Sequence, residues 1–201
     1  MIKIILVRHG STNWTKEGRY QGSTDVPLSE EGLKQARNAA KRLKKEKIDI
    51  AYTSKLRRAI DTAKEIVKFH NVELIQVEEL NERSYGKWEG LTKEEVEKRY
   101  ADNRVAYEKE RYKIRPLGGE SFLDLRNRIE PFIKKVVEKN KDKAILIVSH
   151  NGPLRIITGI LMKYGEEKIA ELYMQPTSLT VISLDNGKPT IHLMNCDKHN
   201  T

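Results

Sequence analysis

Apolar residues change their spacing along the chain, and each change marks an element. Residues 2–7 form a continuous apolar run broken only by Lys3, the pattern of a strand covered on both faces. Residues 8–28 have no period and carry Gly18, Gly22 and Pro27, which predicts a long loop. Ser29 is placed to cap a helix running to about Lys45, with Leu33, Ala36, Ala39, Ala40 and Leu43 on one face. Residues 48–53 read as a second strand. Leu56, Ala59, Ile60, Ala63, Ile66 and Val67 mark a second helix.

Residues 72–77 alternate apolar with polar, as expected of a strand nearer a sheet edge. Residues 92–112 are helical in pattern and densely charged, and an insertion above the sheet is expected there, over the active site and reaching to about residue 115. Phe122, Leu125, Ile129, Phe132, Ile133 and Val136 predict a long helix that Pro131 should bend or break. Residues 144–148 form the most apolar strand, and a helix follows from Pro153 to about Tyr164. Two last strands, 179–184 and 190–194, flank Asp185-Asn186-Gly187, a hairpin-like turn signal.

Strands that alternate with helices argue for one α/β domain over residues 1–201: a three-layer α/β/α sandwich around a mostly parallel sheet of about six strands. Ligands of such sheets bind outside the carboxyl ends of the strands. Two histidines fall there. His9 follows the first strand, and His150 follows the strand that ends at Val148.

Composition narrows the function classes. With 38% hydrophobic residues the chain can bury a core, and its 33% of charged residues exceeds the roughly 25% usual for soluble domains. This Lys- and Glu-rich bias suits a thermophilic protein. A single cysteine, Cys196, allows no internal disulfide and points to a reducing, cytoplasmic setting. No apolar run approaches the roughly 20 residues of a membrane span, and no signal peptide is read before the first strand. The net charge of +9 invites a polyanionic partner, either nucleic acid or a phosphorylated metabolite. Runs such as Lys41-Arg42-Leu43-Lys44-Lys45 lie on outer helix faces without interleaved aromatics, which disfavours nucleic acid.

The chemistry-bearing residues cluster at the predicted active edge. Arg8-His9-Gly10 alone is a short string that also fits a histidine held by a backbone carbonyl. Ser149-His150-Asn151-Gly152 repeats the arrangement at a second strand end, beside a helix N-terminus that favours anions. Ser54-Lys55-Leu56-Arg57-Arg58-Ala59 opens a helix at a third strand end, so Arg58 can reach the edge that holds Arg8. Two guanidinium groups can clamp a phosphoryl group. Glu82 lies in a segment with two glycines and an exposed-looking Trp88, where a carboxyl group could serve as a general acid. The other histidines, His70, His192 and His199, do not complete a zinc ligand set with these two, so no metal is expected.

In chain order these strings are Arg-His-Gly, Gly-Arg-x-Gln-Gly, Ser-x-Leu-x-Arg-Ala-x-x-Thr-Ala, Glu-x-x-x-Gly-x-Trp-Glu-Gly, Gly-Gly-Glu-Ser and Val-Ser-His. The ordered set resembles the histidine phosphatase superfamily, of phosphoglycerate mutase-like fold, over about residues 2–195. That resemblance implies a nucleophilic His9 that becomes phosphorylated. Arg8, Arg58 and His150 would surround the phosphoryl oxygens. Glu82 would protonate the leaving oxygen and then deprotonate water. Gln21 and Gly22 would line the phosphate site, Tyr85 would contact substrate, and Thr15 and Asn151 would add secondary contacts. Ser11 and Thr15 stand where many members have Glu and Asn, and Asn151 stands where many have Gly.

A neutral imidazole is nucleophilic only with one nitrogen free, so a backbone carbonyl is expected to accept the other N–H. The shorter layout and Gly86-x-Trp88-Glu89-Gly90 look more like the phosphatase branch, acting on small phosphorylated metabolites with phosphate as product and no cofactor. The alternative is a 2,3-bisphosphoglycerate-dependent mutase, primed by that bisphosphate, with Arg83, Lys93, Arg99, Arg104 and Arg111 available for a second phosphate. A homodimer is a further expectation.

Overall fold

The computed structural model describes residues 1–200. The elements in chain order are β1 (Ile2–Arg8), α1 (Asn13–Lys16), α2 (Glu30–Leu43), β2 (Ile50–Thr53), α3 (Arg57–Val67), β3 (Leu74–Gln76), α4 (Lys93–Arg99), α5 (Ala101–Lys109), α6 (Phe122–Lys139), β4 (Ala144–Ser149), α7 (Asn151–Met162), α8 (Glu166–Glu171), β5 (Leu179–Asp185) and β6 (Lys188–Cys196). The sheet runs β3-β2-β4-β1-β5-β6. Its first four strands are parallel, while β5 and β6 are antiparallel to their neighbours. The short strand β3 is an edge, as its alternating pattern predicts.

Successive side chains of a strand point to opposite faces. Ile4 and Leu6 pack with Ile145, Ile147 and the apolar stripes of α6 and α7, including Leu125, Ile129, Ile133 and Ile157. Ile5 and Val7 pack with Leu146, Val148 and the small-residue stripes of α2 and α3, Ala39, Ala40, Ala59 and Ala63. Both faces are therefore covered, which gives the three layers. A third cluster, Trp88, Val96 and Tyr107 with Tyr20 and Tyr85 against it, fastens α4 and α5 to the loops at the carboxyl ends of the strands.

Several local readings are met, sharpened or corrected. Ser29 caps α2 by accepting from the Gly32 amide, as expected. The loop over residues 8–28 contains α1, opened by a Thr12–Thr15 capping box that the reading missed. Pro131 does not break α6, which runs through it. Its ring lies on the exposed side, and the carbonyl it frees belongs to exposed Asn127, where water can satisfy it. Trp88 is not exposed: it is fully buried, edge-on to Tyr107 at 5.1 Å between centroids. At the β5–β6 turn, Asn186 and Gly187 both have positive φ, 49° and 80°, the conformation that suits a two-residue hairpin. No helix among the described residues is long and apolar enough to cross a membrane.

Candidate active site

Strand order brings the site together. β1 and β4 are parallel neighbours with Arg8 opposite Ser149, so the next residues, His9 and His150, leave the sheet side by side. The His9 amide donates to the Ser149 carbonyl at 2.9 Å, and the two rings lie 5.0 Å apart. β2 flanks β4 on its other side and delivers Ser54 and the start of α3, which carries Arg58.

The His9 ring is fixed at one nitrogen. Nδ1 lies 2.7 Å from the Gly10 carbonyl oxygen and donates to it, which leaves the Nε2 lone pair free. This is the backbone partner expected from the sequence. The ring is buried, and burial with the charges of Arg58 and Arg8 holds its pKa well below the ordinary 6.5, against a smaller opposing effect of the Gly10 carbonyl. At neutral pH His9 is an uncharged base among cations. Gly10 is itself held by its amide donating to Thr62 Oγ1 at 3.1 Å.

His150 lies behind His9 and is fully buried. Its Nδ1 accepts from Arg58 Nε at 3.2 Å, so the proton sits on Nε2, 2.7 Å from Ser54 Oγ. Burial first, then Arg58, His9 and Arg8, lowers its pKa well below 6.5. Arg58 is gripped from the other side by carbonyls: Nη1 donates to Thr24 at 2.8 Å and Nη2 to Gly22 at 2.7 Å. Burial lowers its pKa to about 10, with the Glu82 charge opposing, so it stays cationic at neutral pH.

These groups border a cavity of about 120 Å³ whose wall is formed by Arg8, His9, Arg19, Tyr20, Gln21, Gly22, Arg58, Glu82, Tyr85 and Asn151. Glu82 enters it from the segment after β3. One carboxylate oxygen accepts from the Arg83 amide at 3.0 Å and the other from the Gly152 amide at 3.2 Å, at the start of α7. Burial raises the Tyr85 phenol to about 12, so it stays protonated. Asn151 Oδ1 accepts from the Met174 amide at 2.9 Å. Thr15 is not part of the wall: its Oγ1 accepts from Gln21 Nε2 at 2.9 Å, one step back from the cavity.

The sequence reading missed Arg19 and Tyr20 as wall residues, although both sit inside the Gly18-Arg19-Tyr20-Gln21-Gly22 string that it used. It also missed the scaffold role of Glu89. That carboxylate collects the amides of Ser23, Thr24 and Tyr85 and the hydroxyls of Ser23, Thr24 and Ser84, and so shapes the loop that holds Arg58. Among the described residues no group of three or more His, Cys, Asp or Glu is placed to hold a metal ion.

A histidine with one free nitrogen, two guanidinium groups and a carboxyl around a small cavity are a set of groups able to receive a phosphoryl group. Residues 4–197 match the family model of the histidine phosphatase superfamily, branch 1. The chain belongs to this superfamily. Phosphoserine phosphatase 1 of Hydrogenobacter thermophilus is 34% identical over 199 residues, covering 99% of this chain and 94% of that one. A 2,3-bisphosphoglycerate-dependent phosphoglycerate mutase of Parvibaculum lavamentivorans is 32% identical over 190 residues, 91% of this chain and 90% of its own. Among solved structures, the α-ribazole phosphatase of Shigella flexneri superposes with a TM-score of 0.90 at 28% identity, covering 97% of this chain and 96% of that one. The superfamily thus includes phosphatase and mutase relatives of this chain, and the phosphoglycerate mutase-like architecture expected from the sequence is the one observed.

Proposed function

We propose that this chain is a phosphomonoester phosphatase that acts on small phosphorylated metabolites through a phosphohistidine on His9. The observation that carries the reading is the His9 ring itself, tied through Nδ1 to the Gly10 carbonyl and bordering the cavity beside Arg8 and Arg58. In the first step His9 Nε2 attacks phosphorus and forms an N–P bond while the P–O bond to the leaving group breaks. The Glu82 carboxyl group gives its proton to the leaving oxygen, and an alcohol departs. In the second step water attacks phosphorus, passes a proton to Glu82 and breaks the N–P bond. Orthophosphate and neutral His9 result. Arg8 and Arg58 stabilise the negative charge that spreads over the equatorial oxygens, with His150 holding Arg58 in place.

The mutase reading draws support from the relatives that are phosphoglycerate mutases. Against it stand two of the five cations it could use for a second phosphate. Arg83 is buried, with its guanidinium carbon 4.2 Å from the Tyr85 ring centre and 4.3 Å from that of Phe122. Arg104 is buried beside Trp88 and paired with Glu108. Lys93, Arg99 and Arg111 are exposed, Lys93 and Arg111 in surface pairs with Glu97 and Glu108. A substrate with one phosphoryl group suits this arrangement better. Phosphoserine is the first substrate to try, because a relative that shares 34% of its residues is a phosphoserine phosphatase.

The test is a screen of phosphorylated metabolites with phosphate detection, run with and without 2,3-bisphosphoglycerate and repeated with EDTA. Phosphate release that needs neither bisphosphate nor metal, together with an acid-labile phosphoenzyme lost in His9→Ala, is expected. Isomerisation of 3-phosphoglycerate that far outruns phosphate release would establish the mutase instead. Cytoplasmic residence and a homodimer belong to the same reading and are checked by fractionation and light scattering.

A further inference from the structure

Residues 172–177 pass the carboxyl ends of β1 and β4 and bond to the end of β1 and to the first residue of α7. At one end the Met174 amide donates to Asn151 Oδ1 at 2.9 Å, and the Met174 side chain is buried. At the other end the Thr177 amide is shared between the carbonyls of Arg8 and His9, at 3.1 and 3.3 Å. Thr177 has φ of 53°, in the left-handed region, which a β-branched residue adopts only when its surroundings hold it there. The segment is a strap pinned on both sides of the nucleophile.

Beside the Met174 pin it grips Arg8. Nη1 donates to the Met174 carbonyl at 2.6 Å and to the Tyr173 hydroxyl at 3.1 Å, and the guanidinium carbon lies 5.4 Å from the Tyr173 ring centre. Both side-chain hydrogen bonds of Arg8 leave from Nη1. Its Nε is buried and has no partner among the described residues. Tyr173 is 49% exposed, so the core does not demand an aromatic residue there, and Tyr173 is not part of the cavity wall.

We infer that Tyr173 is a positioning residue: by holding Nη1 on the strap it turns the Nε–Nη2 edge of Arg8 toward the phosphoryl oxygens. A guanidinium is planar, so two acceptors on one terminal nitrogen set the direction of the other edge, whose parallel donors match two oxygens of one phosphoryl group. The inference rests on the reading of this cavity as a phosphoryl site.

The experiment is a double-mutant cycle with p-nitrophenyl phosphate as substrate and orthophosphate as competitive inhibitor. Tyr173→Ala removes a hydrogen bond to a charged group, so kcat/KM falls about tenfold and the orthophosphate Ki rises by a similar factor. Tyr173→Phe, which keeps the ring but not the acceptor, shows most of that loss. The melting temperature stays within about 2 °C of wild type, as for other exposed side chains. In an Arg8→Ala background the further change Tyr173→Ala has little effect, because its route to the substrate is gone. An unchanged kcat/KM and Ki in Tyr173→Ala overturn the inference, as does the same loss in both backgrounds, which marks a role independent of Arg8. If the wild-type protein neither hydrolyses the substrate nor binds orthophosphate, the phosphoryl-site reading fails with it.

Discussion

Replacing Glu89 by Ala should weaken fold and site together. The carboxylate takes six hydrogen bonds: three from the amides of Ser23, Thr24 and Tyr85 and three from the hydroxyls of Ser23, Thr24 and Ser84. The four donors on Ser23 and Thr24 are exposed, and water replaces most of what they lose. The Tyr85 amide and the Ser84 hydroxyl are partly buried, and each costs about 1–2 kcal/mol when left unpaired. With a few tenths for each exposed donor, the loss totals roughly 3–5 kcal/mol. For a chain of this size that lowers the melting temperature by roughly 6–20 °C.

Activity should fall as well, because Glu89 orders the loop whose Gly22 and Thr24 carbonyls hold Arg58. Burial pushes the Glu89 carboxyl up, but hydrogen bonds from Thr24, Ser23 and Tyr85 more than offset this and keep it below the ordinary 4.5. A group with a depressed folded pKa stabilises above its unfolded value and loses that contribution as pH falls through the folded one. The advantage of wild type over Glu89→Ala is therefore full above pH 4.5 and shrinks below it. Urea unfolding of both proteins from pH 7 to pH 3, with kcat/KM measured at pH 7, checks the argument. Equal midpoints and equal kcat/KM at pH 7 would falsify it, and so would a gap that widens as the pH falls.

Further outcomes follow from the same geometry. The depressed pKa of His9 keeps the nucleophile uncharged in mildly acidic solution, so the acid limb of kcat/KM, corrected for substrate ionisation, lies below pH 6.5; a limb at or above that value contradicts the assignment. Gly10→Ala puts a methyl group 2.3 Å from the Gly32 carbonyl oxygen, a backbone atom that cannot step aside. Its displacement should cost about 1–3 kcal/mol and move the carbonyl that orients His9, which calorimetry and activity read together. Glu82→Gln cannot protonate a leaving oxygen, so it slows alkyl phosphates more than p-nitrophenyl phosphate; equal slowing removes Glu82 as the leaving-group acid.

The sequence by itself determined most of the elements and their buried faces, though not α1 or α8. The run before Arg8 and the run before Ser149 admit only strands covered on both sides, and Asn186-Gly187 fixes a tight hairpin. The ordered motifs named His9, Arg8, Arg58, Glu82 and His150, and all five come together near one cavity. What the tertiary structure alone decided is which groups are committed elsewhere. Arg83 and Arg104 read as cations available for a second phosphate, yet both are buried among aromatic rings. Trp88 looked exposed because its neighbours are polar, but the partner that covers it, Tyr107, lies far along the chain. Tyr173 carries no motif at all, and only the strap brings it to Arg8. Periodicity reports which face of an element avoids water, because burial repeats with the element's own geometry. The valences of Arg8 and Arg58, and most of those of Glu89, are filled by atoms distant in sequence, and no local pattern encodes them.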